Sequence, residues 1–302
     1  MPTVSVVIPS YRGGPYLREA IESVQAQTLQ DWEAIVVADG CEEDFSDIET
    51  DRRVRVIRQR NRGESISRNV AIGHARSDLV ALLDDDDRML PGRLLAQVEA
   101  MKDQSVGLCH TQFRVIDGDG AVIGAGESRE SQYTDFLQTN GAIVLSSAML
   151  RRSIIQEVGG FNPLFPIGQD LDLFYRVARE SRLCFLPEVL TEYRIHGNNV
   201  WANSSSSSGK EIRMILAQHQ MVAEARGEAE NLRSIHKGMK YVLPGPAQFA
   251  LTRADKARLR HDYREALSSF AKAMLISPGA VSRVALRAAR RNKRNKQERE
   301  AG

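Results

Sequence analysis

The chain of 302 residues contains only three cysteines, Cys41, Cys109 and Cys184. An odd number, widely spaced and without a Cys-x-x-Cys pair, argues against a disulfide framework or a zinc site and fits a reducing compartment. No apolar run approaches the roughly 20 residues needed to cross a bilayer. Met1-Pro2-Thr3 leads straight into the strand-like Val4 to Ile8, without the charged and then apolar pattern of a signal peptide. A cytoplasmic location is expected, and any membrane contact would be peripheral, at the inner face. No Gly-x-Gly-x-x-Gly follows a strand candidate, which speaks against a nicotinamide-dependent dehydrogenase.

What is present is ordinary in bulk and uneven in detail. Apolar residues make up 42% and charged residues 26%, so wholesale disorder and a fibrous fold are excluded. The net charge of +2 hides an asymmetry: from Arg283 onward eight Lys and Arg face Glu298 and Glu300, so the tail carries +6 and the body −4. Such a tail suits an anionic membrane surface, though a solvated terminus is the commoner reason for one. No nucleic-acid partner is expected.

The first half alternates β-branched runs with helical periodicity, the signature of a parallel sheet with crossover helices. Strands are expected at Val4 to Ile8, Ala34 to Ala38, Val54 to Arg58 and Leu79 to Leu83. Helices are expected after Pro15, from Glu64 to Ala75 and from Pro91 to about Met101. Beyond Val106 the pattern is mixed: a strand to about Val115, a hairpin turn at Asp117-Gly118-Asp119-Gly120, an apolar run Ile143 to Met149, a helix Asp170 to Glu180 and an extended Thr191 to Ile195. Residues 201–209, rich in serine, read as a linker. They divide a domain of residues 1–200 from a helical region, 210–302, that ends in the basic tail. Within that region Leu259 to Met274 carries a helical apolar stripe that resembles half of a tetratricopeptide repeat, with no second copy.

Several acidic and basic residues fall at strand ends or helix starts. Asp84, Asp85, Asp86 and Asp87 follow an apolar strand, and four adjacent carboxylates repel unless a cation neutralises them. An isolated acidic run is otherwise a solvated turn. Asp39 ends the second strand, where it can accept a nucleobase N–H or hold the turn. Arg68 lies in Asn61 to Asn69, entering a helix, and suits an anion. Asp170 and Asp172 open a helix, where an Asp is often only a cap; Asp170 is the candidate general base and Asp172 reads as a first-turn charge. Alternation places Arg194 and His196 on one face of an extended segment, where both could meet phosphates or metal.

Taken in order, these segments over about residues 3–200 resemble the family 2 glycosyltransferases of the GT-A fold. The resemblance is carried by Val4 to Tyr11, Leu17 to Thr28, Ile35 to Gly40, Asn61 to Asn69, Leu83 to Asp87, Val158-Gly159-Gly160-Phe161, Gly168-Gln169-Asp170 and Tyr193-Arg194-Ile195-His196. It implies an α/β fold with a mostly parallel central sheet flanked by helices, followed here by the helical appendage. It also implies an inverting transfer of a sugar from a nucleotide-diphosphate donor to a saccharide or lipid-linked hydroxyl acceptor, in cell-surface polysaccharide or glycoconjugate synthesis. Pro9, Tyr11, Asp39, Arg68, Asp84, Asp85, Arg194 and His196 would then lie at the donor. Asp84-Asp85-Asp86 would be the D-x-D motif, Asp86 with His196 would hold Mn²⁺ or Mg²⁺, and Asp170 would be the catalytic base.

Two departures from the family stand out. Gln169 occupies the place of the usual Glu before the base, and Ala38 that of the usual Asp before Asp39. A catalytically degenerate, donor-binding scaffold is the alternative that such losses leave open. A sugar nucleotidyltransferase is disfavoured, because Gly13-Gly14-Pro15 is too short for its glycine-rich, basic phosphate loop.

Overall fold

The computed structural model describes residues 1–11, 13–139, 143–165, 167–196, 208–239 and 263–276. Strand β1 (Val4–Ser10) is buried throughout. Helix α1 (Pro15–Gln25) begins with proline in its first turn and buries Leu17, Ala20, Ile21 and Val24, the stripe expected at helical spacing. Strand β2 (Trp32–Asp39) is likewise buried throughout, and β3 (Val54–Gln59) leads to α2 (Glu64–His74) and β4 (Leu79–Leu82). Their near-continuous Val, Ile and Leu follow from burial on both sheet faces. The polar exceptions in β1 and β2 satisfy one another: Ser5 donates to Glu33 at 2.7 Å, and Glu33 also accepts the Arg76 backbone and guanidinium.

The short β5 (Arg88–Met89) and helix α3 (Arg93–Ala100) precede β6 (Val106–Ile116) and β7 (Val122–Ala125), which form the hairpin expected around Asp117 to Gly120. Then come α4 (Tyr133–Thr139), β8 (Ala148–Arg151), α5 (Arg152–Glu157), α6 (Gln169–Glu180) and β9 (Arg182–Arg194). The sheet order is β3-β2-β1-β4-β8-β6-β9-β5, with β7 on β6. Pairings from β3 through β4 are parallel, as is β6 with β9, while β8, β5 and β7 pair antiparallel. The parallel character is thus concentrated in the first half. Chain connections leave β1 toward β2 on one side and reach β4 on the other, so a crevice opens at the carboxyl ends of these strands. Where β4 meets the antiparallel β8, buried Arg93 donates to the carbonyls of Leu82 and Ala148, and Gln97 to those of Cys109 and Ser147.

Two compact units divide the chain, residues 1–136 with 141–196, and 137–140 with 197–302. In the second, α7 (Ser208–Arg226) and α8 (Ala229–Met239) form a hairpin. Gly227 turns the chain at φ +69°, and the Glu228 amide bonds the Ala223 carbonyl at 2.8 Å, closing α7. Helix α7 takes in the last two residues of the expected linker. The apolar stripe after Leu259 appears as α9 (Tyr263–Ile276), and the basic tail from Arg283 lies outside the described residues. Among the described residues no helix is long and apolar enough to cross a membrane.

One core residue breaks the polar accounting. His110 on β6 is fully buried against Phe185, and neither ring nitrogen has a partner among the described residues. Burial pushes its pKa down to about 4. Because the unfolded chain takes up this proton near pH 6.5 and the folded chain only near 4, stability is full above pH 6.5 and falls by up to ~3 kcal/mol as pH drops through that window. His110→Leu is expected to remove this component, which urea titrations of both proteins at pH 7 and pH 4.5 will measure.

Candidate active site

The carboxyl edge of β2 is organised by Asp39. Its Oδ1 accepts Gln59 Nε2 at 2.7 Å and the Arg62 amide at 2.8 Å, and Oδ2 accepts the Gly63 amide at 2.8 Å. Gly40, at φ +83°, lets Asn61 pack so close that a Cβ there would lie 2.8 Å from the Asn61 Cβ. Asp39 therefore holds the turn into α2, the plainer of the two roles open to it from sequence.

At the end of β4 the chain turns sharply, with the Asp87 amide bonding the Asp84 carbonyl at 3.2 Å and the Asp84 amide donating to Ser146 Oγ at 3.0 Å. Asp85 accepts the Ser10 hydroxyl from the end of β1. Oxygens of Asp84, Asp86 and Asp87 lie within 4.8 Å of one another. Burial, and then mutual repulsion, raise Asp84 to about 6 and Asp85 to about 7, and push Asp87 well above the carboxylate range. Asp87 Oδ2 is buried with no hydrogen-bond partner among the described residues. An oxygen-rich, under-compensated cluster of this kind fits a hard divalent cation. Asp87, read from sequence as part of the acidic run but not as a ligand, belongs to this cluster.

A bridge of side chains joins this loop to the start of α6. Arg68, almost wholly buried, donates from Nη2 to Asp84 Oδ1 at 2.6 Å and from Nη1 to Glu64 Oε2 at 3.2 Å, and it lies over the Phe161 ring. Gln169 Nε2 donates to the same Glu64 oxygen at 2.8 Å. Asp170 follows immediately. Burial raises its pKa, the Arg68 charge pulls it back, and Glu64 adds to the rise. The Tyr193 phenol is held protonated first by burial and then by the charges of Asp87, Asp86, Asp84 and Asp170, so it lies within electrostatic reach of both groups. The acidic loop and Asp170 thus share one rim of the sheet.

Arg194 departs from its sequence expectation. It is fully buried and donates from Nε to the Asp86 carbonyl at 2.8 Å, from Nη1 to the Gly118 carbonyl at 2.9 Å and from Nη2 to Glu19 at 2.5 Å, with its guanidinium over Tyr16. Its backbone amide donates to Asp87. A guanidinium engaged on every side holds the acidic loop and has no free edge for a phosphate. His196 behaves otherwise: its Nε2 lies 2.9 Å from Asp86 Oδ2 and its ring 5.1 Å from that of Tyr16, so it faces the cluster as expected. Pro9 is buried near the end of β1, and Tyr11, just beyond it, is 55% exposed. Glu19, Glu64, Tyr16 and Tyr193 were given no site role from sequence, because nothing local distinguishes them from surface or core residues.

Residues 5–159 match a family model described as Glycosyl transferase family 2. The chain belongs to this family. An uncharacterized glycosyltransferase of Nostoc is 30% identical over 70% of the chain and 70% of its own length. A putative teichuronic acid biosynthesis glycosyltransferase of Bacillus subtilis, TuaG, is 29% identical over 69% of the chain and 85% of its own length. Against an uncharacterized glycosyltransferase of Rickettsia bellii, 29% identical over 65% of the chain, this chain spans 29% of the longer relative. Among solved structures, TarS of S. aureus (residues 1–349 with UDP-GlcNAc) superposes at TM-score 0.63 with 16% identity, over 89% of each chain. The mannosyltransferase PcManGT of Pyrobaculum calidifontis, solved with GDP-Man and Mn²⁺, superposes at TM-score 0.57 with 18% identity, over 91% of this chain and 86% of its own. These likenesses establish the GT-A fold for this family 2 glycosyltransferase.

Two substitutions separate scaffold from site. Asp86→Asn is expected to stabilise the metal-free protein by roughly 1 kcal/mol through lost repulsion, and to abolish the rise in Tm that Mn²⁺ gives the unaltered protein, both read by thermal melts with EDTA or Mn²⁺. Arg194→Met, which strands three carbonyls and leaves Glu19 only Arg88 of its two arginines, is expected to cost ~3–5 kcal/mol in urea unfolding, with or without nucleotide.

Proposed function

We propose that this glycosyltransferase inverts the anomeric centre in a single displacement, transferring a sugar from a nucleotide-diphosphate donor to a hydroxyl on a saccharide or lipid-linked acceptor in cell-surface polysaccharide synthesis. The observation that supports the reading is the chain of hydrogen bonds from Asp84 through Arg68 and Glu64 to Gln169, the residue before Asp170, with Asp170 itself within reach of the Arg68 and Glu64 charges. The Bacillus relative named for teichuronic acid synthesis supports the acceptor class, and the nucleotide-sugar complexes of TarS and PcManGT support the donor class.

Asp84, Asp86 and Asp87, with His196, are the residues that would hold Mn²⁺ or Mg²⁺, and their chemistry fits such an ion. When bound, that cation supplies charge neutralisation for the departing nucleotide diphosphate. Pro9 and Asp39 at the ends of β1 and β2, Tyr11 just beyond β1, and Arg68 on α2 would contact the nucleotide. Asp170 takes the proton from the acceptor hydroxyl as its oxygen bonds the anomeric carbon. The electron pair of the broken bond leaves with the diphosphate. A base whose pKa is raised by burial accepts that proton more readily, and the Arg68 charge offsets part of that rise. A cytoplasmic protein, with its basic tail against an anionic membrane, is the setting that suits a lipid-linked acceptor.

A thermal-shift panel of nucleotide sugars with and without Mn²⁺ identifies the donor, since a ligand at about 100 times its Kd stabilises by ~2.7 kcal/mol. Asp170→Asn is expected to lower turnover at least about a hundredfold while leaving that donor shift unchanged. Loss of donor binding together with turnover would count against Asp170 as base.

A further inference from the structure

Glu64 and Gln169 have no task in the displacement above. Gln169 stands where the family usually carries the acid that precedes the base, and Glu64, the first residue of α2, stands opposite it. The two side chains are joined by the 2.8 Å hydrogen bond from the amide to Glu64 Oε2, and Gln169 Oε1 in turn accepts the Ser65 hydroxyl. Two glutamates at this separation would repel, whereas an amide facing a carboxylate attracts. The negative charge lacking at residue 169 is therefore present one hydrogen bond away.

The carboxylate is also open to a ligand. Oε2 is taken by Gln169 and Arg68, but Oε1 has no partner among the described residues, and the side chain is 45% exposed. Its charge reaches both sides of the cleft, adding to the upward push that burial gives Asp84, Asp85 and Asp170. A free carboxylate oxygen is repelled by phosphate and attracted by a donor such as a sugar hydroxyl. Gln169 precedes Asp170 directly, so the hydroxyls that come nearest are those of the acceptor.

On the transfer reading above, we propose that Glu64 is an acceptor-positioning residue, its free oxygen accepting a hydrogen bond from a hydroxyl of a neutral saccharide beside the one that Asp170 deprotonates. Such a contact favours neutral polyols and disfavours acceptors carrying an acidic group at that position.

The test uses the full chain, the donor found by thermal shift, Mn²⁺, and a panel of neutral p-nitrophenyl hexosides and hexosaminides as acceptors. Glu64→Gln is isosteric and sits at an exposed helix start, and its Tm is checked against the unaltered protein. It is expected to raise the acceptor KM by about tenfold to a hundredfold, the worth of a hydrogen bond to a charged group, with the donor KM moving less than about threefold because Arg68 retains Asp84. The exchanged pair Glu64→Gln with Gln169→Glu, which returns the carboxylate to the other side of the same hydrogen bond, is expected to recover most of the acceptor affinity. An unchanged acceptor KM in Glu64→Gln, a change confined to the donor KM, or no recovery in the exchanged pair overturns the proposal and leaves the transfer reading intact. A donor-binding unaltered protein that turns over no saccharide in the panel counts against both.

Discussion

Like charges at the end of a buried strand are the constraint around which this molecule is arranged. Burial raises the energy of each ionised carboxylate, and three neighbours within one turn raise it further. The sheet cannot place Asp84 to Asp87 there without compensation, and the compensation is unequal. Asp84 has Arg68, Asp85 has the Ser10 hydroxyl, and Asp87 has only the Arg194 amide and the Ser146 hydroxyl, with Oδ2 unpartnered among the described residues. Two other buried carboxylates of the same unit are closely matched: Glu33 accepts from a serine, two arginines and a backbone amide, and Glu192 from two arginines. The shortfall is concentrated where a cation and a phosphorylated ligand fit.

Two buried arginines divide the work of holding this loop. Arg194 binds its backbone, fixing the carbonyl of Asp86 and those of the hairpin turn, and so sets shape without cancelling the carboxylate charges directly. Arg68 binds a carboxylate of the loop and a carboxylate of its own helix, and so couples the charge of the loop to the start of α6. The first is a scaffold interaction whose loss unfolds. The second is an electrostatic link across the cleft, and its removal would alter the site before the fold.

Much of this was legible in the sequence because burial and chain direction leave local marks. The continuous apolar runs of β1, β2 and β4 gave their burial on both faces, and the acidic residues just past them gave the carboxyl edge. Alternation put Arg194 and His196 on one face, and both do meet Asp86 and Tyr16. What no local pattern marked is that full burial commits Arg194 to backbone carbonyls while His196 reaches the Asp86 carboxylate. The pairing of Glu64 with Gln169 was invisible because it joins positions 105 residues apart through a tertiary contact. Strand β5, two residues long, and the first half of β9, with its register shifts against β6, carry too little periodicity to be read locally.

The contrast between His110 and Asp87 shows why an unpartnered buried atom cannot be assigned a purpose from its orphaned state alone. Both lack partners among the described residues, and both are shifted toward their neutral forms by burial. His110 lies against Phe185, its shift is due to burial, and its orphan nitrogens mark a cost to stability that appears only as the pH falls. Asp87 stands within reach of two further carboxylates at the mouth of a crevice, where a single cation relieves three penalties together. The same desolvation is a defect in one place and a binding energy held in reserve in the other, and what separates them is the charge of the neighbours.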